Sequence, residues 1–129
     1  MAVTHFSEVA VTGETVAADR AVTQITSVTT GVTINSSAGA ITTVTQTALT
    51  DDQDTFTVTN DKVAAEDTVV LSIKSYSGTL GTNGMPCAVV TAVADGSFNI
   101  TIANMDNATL SGVLVINFVI IKAGPDDAA

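Results

Sequence analysis

Residues 85–102 read Met-Pro-Cys-Ala-Val-Val-Thr-Ala-Val-Ala-Asp-Gly-Ser-Phe-Asn-Ile-Thr-Ile. In the second half, Phe98, Ile100 and Ile102 alternate with Ser97, Asn99 and Thr101. That two-residue period belongs to a strand with one buried face. The first half, Met85–Ala94, is apolar and rich in Val, with Pro86 where a strand start or an edge tolerates a missing N–H. Asp95-Gly96 sits between the two runs. An Asp-Gly pair in that setting predicts a tight hairpin, because both turn positions tolerate positive φ. The stretch therefore predicts an antiparallel β unit.

The same pattern extends outward from this hairpin. Val, Ile and Thr make up 49 of the 129 residues, and these are the side chains that suit a pleated, half-buried surface. Upstream, strands are expected at Arg20–Ser27, Gly31–Ile34, Ala40–Thr47, Thr55–Thr59 and Asp67–Ser75. Asn35-Ser36-Ser37 with Gly39 marks a turn, and Asn60–Asp67 is a polar connection with room for one helical turn at Val63–Glu66. Downstream, Gly112–Lys122 is the last strand. Its apolar tract Val113–Ile121, broken by Asn117, is too short to span a bilayer as a helix and is expected to be a central strand buried on both faces. About eight strands without a long amphipathic helix predict an all-β fold: a two-sheet antiparallel β-sandwich, jelly-roll-like, with four strands per sheet. The domain spans 21–122, preceded by an N-terminal arm at 1–20 and followed by a flexible C-terminal tail at 123–129.

Charge narrows the function. Thirteen Asp and Glu against four Lys and Arg give a net charge of −9. Nucleic-acid binding draws most of its affinity from cationic side chains, so neither nucleic acid nor an anionic membrane is an expected partner. Cys87 is the single cysteine, which excludes an intrachain disulfide and suits folding in a reducing cytoplasm. Residues 1–20 show no basic start followed by an apolar core, so no signal peptide is expected.

No constellation for catalysis emerges, and no enzyme is expected. His5 is the single histidine, and nothing in the spacing places it beside Cys87 or a serine with a third orienting group. Cys87 follows Pro86 at a strand start, where it serves as a small apolar residue. Asp51, Asp52 and Asp54 are the densest carboxylate group, but the loop lacks the glycine and terminal glutamate of a helix-loop-helix calcium site. It reads as a solvated turn that interrupts an apolar strand pair. Tyr76, the single tyrosine, is a strand-end residue with a packed ring and a wet hydroxyl. The triplets at Asn35, Asn99 and Asn107 match the glycosylation pattern and are expected by chance in a chain this rich in Thr. No catalytic, cofactor-binding or metal-binding residue is assigned, and no cofactor is expected.

Five stretches carry a resemblance. They are Ala21–Asn35, Gly39–Val44, Phe56–Asn60, Val93–Phe98 and Val115–Phe118. Together they resemble recurrent segments of tailed-bacteriophage virion structural proteins, of the capsid decoration (cement) and head-fibre type, over about residues 21–122. The resemblance implies a non-enzymatic subunit that folds in the host cytoplasm and binds the exterior of the capsid. Its partners would be the major capsid protein and further copies of itself, a trimer being favoured and a dimer the alternative. It carries over no catalytic residue. Residues 1–20 lie outside it, and in decoration proteins such an arm commonly touches the shell or a neighbouring subunit. The rival expectation is a host-surface-binding module of a tail fibre or spike.

Overall fold

The structure, a computed structural model, describes residues 20–123. The N-terminal arm expected at 1–20 and the tail at 123–129 therefore fall outside the described residues, apart from Arg20 and Ala123. Eight strands form: β1 (Ala21–Thr23), β2 (Val32–Thr33), β3 (Ala38–Thr42), β4 (Gln53–Thr59), β5 (Thr68–Tyr76), β6 (Pro86–Ala94), β7 (Ser97–Asn104) and β8 (Leu114–Ile121). They make two four-stranded sheets, ordered β1-β3-β8-β5 and β2-β4-β7-β6. These will be called the β8 sheet and the β7 sheet. The chain changes sheet at every step except the β6–β7 hairpin.

The all-β sandwich with four strands per sheet matches the sequence expectation. The pairing is mixed rather than wholly antiparallel: β1 runs parallel to β3, and β2 runs parallel to β4. The cause lies in the crossings. β2 leaves the β8 sheet for the β7 sheet, and β3 returns beside β1 in the same direction. A crossover of this kind can close parallel pairs, which a short hairpin cannot. The remaining pairs, β3·β8, β5·β8, β4·β7 and β6·β7, are antiparallel.

Side chains along the strands sort as the two-residue period requires. Ile41, Leu114, Ile116, Phe118 and Ile120 point inward from the β8 sheet, and Phe56, Val58, Phe98, Ile100 and Ile102 from the β7 sheet. Phe98 and Phe118 meet across the sandwich in a tilted pair, with ring centroids 5.5 Å apart. Such a contact adds roughly 1 kcal/mol to the burial of the rings.

Several strand bounds differ from expectation, each for a local reason. The first strand stops at Thr23 because the buried Gln24 side chain takes over: its amide donates to the Val28 and Thr30 carbonyls, and its oxygen accepts from Val44 N–H. Thr26 then turns through φ 74°. β3 stops at Thr42 because the Thr43 hydroxyl accepts the Leu114 N–H, replacing a ladder bond. β4 begins at Gln53 and so takes in Asp54. No helix forms at Val63–Glu66. There the Asn60 and Asp67 side chains accept the Lys62 and Ala64 N–H groups and shape turns instead.

The Asp95-Gly96 hairpin is present, but only Gly96 lies at positive φ, 84°. The turn is therefore not the type in which both central residues are left-handed. β8 is central in its sheet, yet it is buried on one face only. Asn117, Val119 and Ile121 are exposed, because no layer covers the outside of the β8 sheet among the described residues.

Candidate functional site

The residues weighed for chemistry do not come together. Cys87 is a free, half-buried cysteine on the outer side of β6, paired with Ala103. His5 lies outside the described residues. Asp51 turns through φ 62°, and the Asp52 carboxylate accepts the Gln53 N–H. Burial, helped by the charge of Asp52, pushes the Asp54 carboxyl above its ordinary range. Among the described residues, no three His, Cys, Asp or Glu side chains are grouped so as to hold a metal ion.

Three loops do converge, all at the end of the sandwich where β7 finishes. Asn104, the last residue of β7, is 2% exposed and joins them. Its amide donates to the carbonyls of Ala48 (3.0 Å), Leu49 (3.3 Å) and Ala108 (2.7 Å). Its oxygen accepts the N–H groups of Met85 (3.3 Å) and Asp106 (3.1 Å). One buried asparagine thus satisfies five backbone groups on the 43–52, 77–85 and 105–113 segments. The network resists opening because loss of the asparagine would leave the Met85 and Asp106 N–H groups without a partner and weaken the bonding of the Ala48 and Leu49 carbonyls, which also accept the Leu110 and Asp52 N–H groups.

Tyr76 clamps the same end from the other sheet. Its hydroxyl donates to the Asn83 carbonyl and accepts the Ser111 N–H at 3.0 Å, so it is bonded rather than simply wet. Gly112 must be glycine for this. A Cβ there would lie 2.7 Å from the Tyr76 ring and 2.5 Å from the Gly78 nitrogen. The Ser77–Gly84 and Asn104–Ser111 loops, distant in sequence, are therefore one platform.

Large apolar side chains stand on this platform. Leu49, Leu80, Met85 and Met105 are 60%, 63%, 52% and 64% exposed. Leu49, Met85 and Met105 each lie at or beside a backbone group tied to Asn104 or its partners. Met105 N–H donates to the Met85 carbonyl, which holds those two residues together. Exposed apolar groups on loops fixed to a rigid scaffold are the usual construction of a protein-binding surface. Sequence periodicity passed over Leu49, Leu80 and Met105 because they fall outside every expected strand, and it placed Met85 at the start of one. The available signal was their type: Leu and Met among Asp, Asn, Gly and Thr.

The opposite end is polar. Asp67, with a nearly buried side chain, accepts from Lys122 Nζ and from the Ala123 and Ala64 N–H groups. The Lys122 hydrogen bond, with the two backbone donors, holds its carboxyl down to about 2 against the opposing effect of burial.

No protein-family model, no curated protein and no solved structure matches this chain. No helix among the described residues is long and apolar enough to cross a membrane.

Proposed function

We propose that this protein is a non-enzymatic decoration subunit of a tailed-phage capsid, bound to the outside of the shell through the loop platform built on Asn104. The observation that carries this reading is the platform itself. Four large apolar side chains are presented to solvent on loops that a buried asparagine and a clamped tyrosine hold rigid. A preorganised apolar surface loses little conformational freedom on docking. The virion resemblance over about residues 21–122 supplies the identity of the partner, the major capsid protein. A net charge of −9 suits an exterior surface better than one facing packaged DNA. A subunit that bridges neighbouring shell proteins stabilises the assembled shell by mass action.

The test mixes purified protein with shells that lack it and locates it by cryo-electron microscopy. Density at regular exterior sites, with the platform toward the shell, is the expected result. Leu49→Asp with Met105→Asp should lower occupancy at least about 10-fold, because each puts a charge into an apolar contact, with circular dichroism unchanged. Binding to host cells but not to shells would instead select the tail-fibre or spike module.

A further inference from the structure

The outside of the β8 sheet is a second surface with nothing over it among the described residues. Its side chains stand in cross-strand rows: Ala38–Val119–Val70, then Ala40–Asn117–Ser72, then Thr42–Val115–Ser75. Val70, Val119 and Ile121 are 45%, 41% and 52% exposed. The rows are made mostly of small and β-branched groups. A shallow depression of about 290 Å³ indents its β1 side, over Gly39 and beside Arg20.

Among the described residues the carboxylates lie in the loops, apart from Asp54 in β4. None of β1, β3, β5 or β8 carries an Asp or Glu. The unpaired charges at its margin are cationic: Arg20, just before β1, and Lys74, the extra residue of a bulge in the edge strand β5, while Asp67, just before β5, is paired with Lys122, just after β8. In a chain of net charge −9, this is a surface that two copies can bring together without opposing carboxylates. The outside of the β7 sheet is less apolar, Val89, 45% exposed, being the one large exposed apolar side chain of its strands. There the Thr55 and Thr91 hydroxyls both bond to Thr101, at 2.7 and 2.9 Å, and Thr57 donates to Asn99.

We infer that the outer face of the β8 sheet is the interface between two copies of this chain, packed sheet against sheet about a two-fold axis. The occupant follows from shape, charge and area. Rows of small and β-branched side chains can interdigitate with the same rows of a second copy across a two-fold axis, and two sheets pack face to face at about 10 Å. The four strands hold 25 residues, which at about 16 Å² of sheet each give roughly 400 Å² of projected face. With side-chain relief, two copies bury on the order of 1,000 Å², the lower limit of a specific interface. The pair is accordingly a reversible dimer that dissociates on dilution.

Sedimentation equilibrium on the full chain from about 1 to 200 µM tests this, the range in which an interface of that size exchanges between states. The expected result is a mass rising from 13.0 kDa to twice that value. Val70→Asp with Val119→Asp should weaken the dimer at least about 100-fold, because the two-fold brings like charges together. Val70→Thr with Val119→Thr is the milder pair should the aspartates disturb folding, and Thr57→Asp on the opposite face should leave the mass unchanged. A monomer throughout, a trimer, or a dimer indifferent to the Val70 and Val119 changes overturns the inference. So does a monomer that dimerises once residues 2–19 are deleted, since the chain's own segment is then the occupant. Shell binding is read separately: a dimer that ignores shells overturns the decoration reading and leaves this interface standing.

Discussion

The two outer faces of the sandwich share strand length and pleat, and they differ in what their side chains need. On the β7 sheet, Thr101 pairs with Thr55 and Val89 across the strands, and its hydroxyl bonds to those of Thr55 and of Thr91 at the β6 bulge, so these hydroxyls are satisfied within the chain. On the β8 sheet, the equivalent positions hold Val119 and Val70, which have no such bonds to make and stay in water. A polar row can complete itself along the sheet. An apolar row is completed only by another surface, since its gain comes from leaving water. Two faces built from the same β-branched vocabulary therefore differ in degree: beside its bonded hydroxyls the β7 face leaves Val89 exposed, while the β8 face leaves Val70, Val119 and Ile121.

The contrast can be broken from either side. The largest effect should come from turning to the inner face of the same strand. Phe118→Ala removes a 3%-exposed ring packed on Phe98, and should cost about 3–5 kcal/mol in chemical denaturation. A cost below about 1 kcal/mol would mean that β8 does not alternate as described. Next is the hydroxyl row. Thr101→Val should cost about 1 kcal/mol, since two hydroxyl contacts are lost while the shape is kept. If it costs nothing, the row is no more complete than the apolar face.

The margin of the β8 sheet gives a pH-dependent test. Lys122 follows β8 and is tied to Asp67, whose carboxyl is held down to about 2. A depressed carboxyl adds stability that is full above its ordinary range near 4 and is lost as the pH falls through about 2. Asp67→Asn should therefore lower the melting temperature at pH 6, and the gap from the parent should close toward pH 2. A gap that persists at pH 2 would assign the effect to packing instead. The smallest effect belongs to the open face. Val119→Thr should change monomer stability by less than about 0.5 kcal/mol, because the side chain already faces water. A larger loss measured at dimer-free concentration would show that the face is covered within one chain.

The candidate surfaces were less legible than the strands. Phe98, Ile100 and Ile102 declare their face by alternation, and all three are in the core. Asn104 declares nothing, since one more Asn near a turn looks like solvent-facing loop chemistry. Its role depends on Ala48 and Leu49, more than fifty residues away, arriving within hydrogen-bond reach. Tyr76 is similar, because its hydroxyl partners Asn83 and Ser111 lie on two loops that only folding brings together. The short β1 and β3 were over-read for the complementary reason. Thr and Val continue the alternating pattern past Thr23 and Thr42, while the Gln24 and Thr43 side chains end the ladders.

Sequence alone determined the strand class, the inward set and the β6–β7 hairpin, because a two-residue period and an Asp-Gly pair act over a few neighbouring residues. Tertiary structure alone decided which sheet each strand joins, and with that the parallel β1·β3 and β2·β4 pairs. It also decided that Val70 and Val119 stand side by side on one outer face, and Thr55 and Thr101 on the other. Alternation says that a residue points away from the core. What stands beside it there is set by the register of a strand distant in sequence, and no local pattern encodes that neighbour.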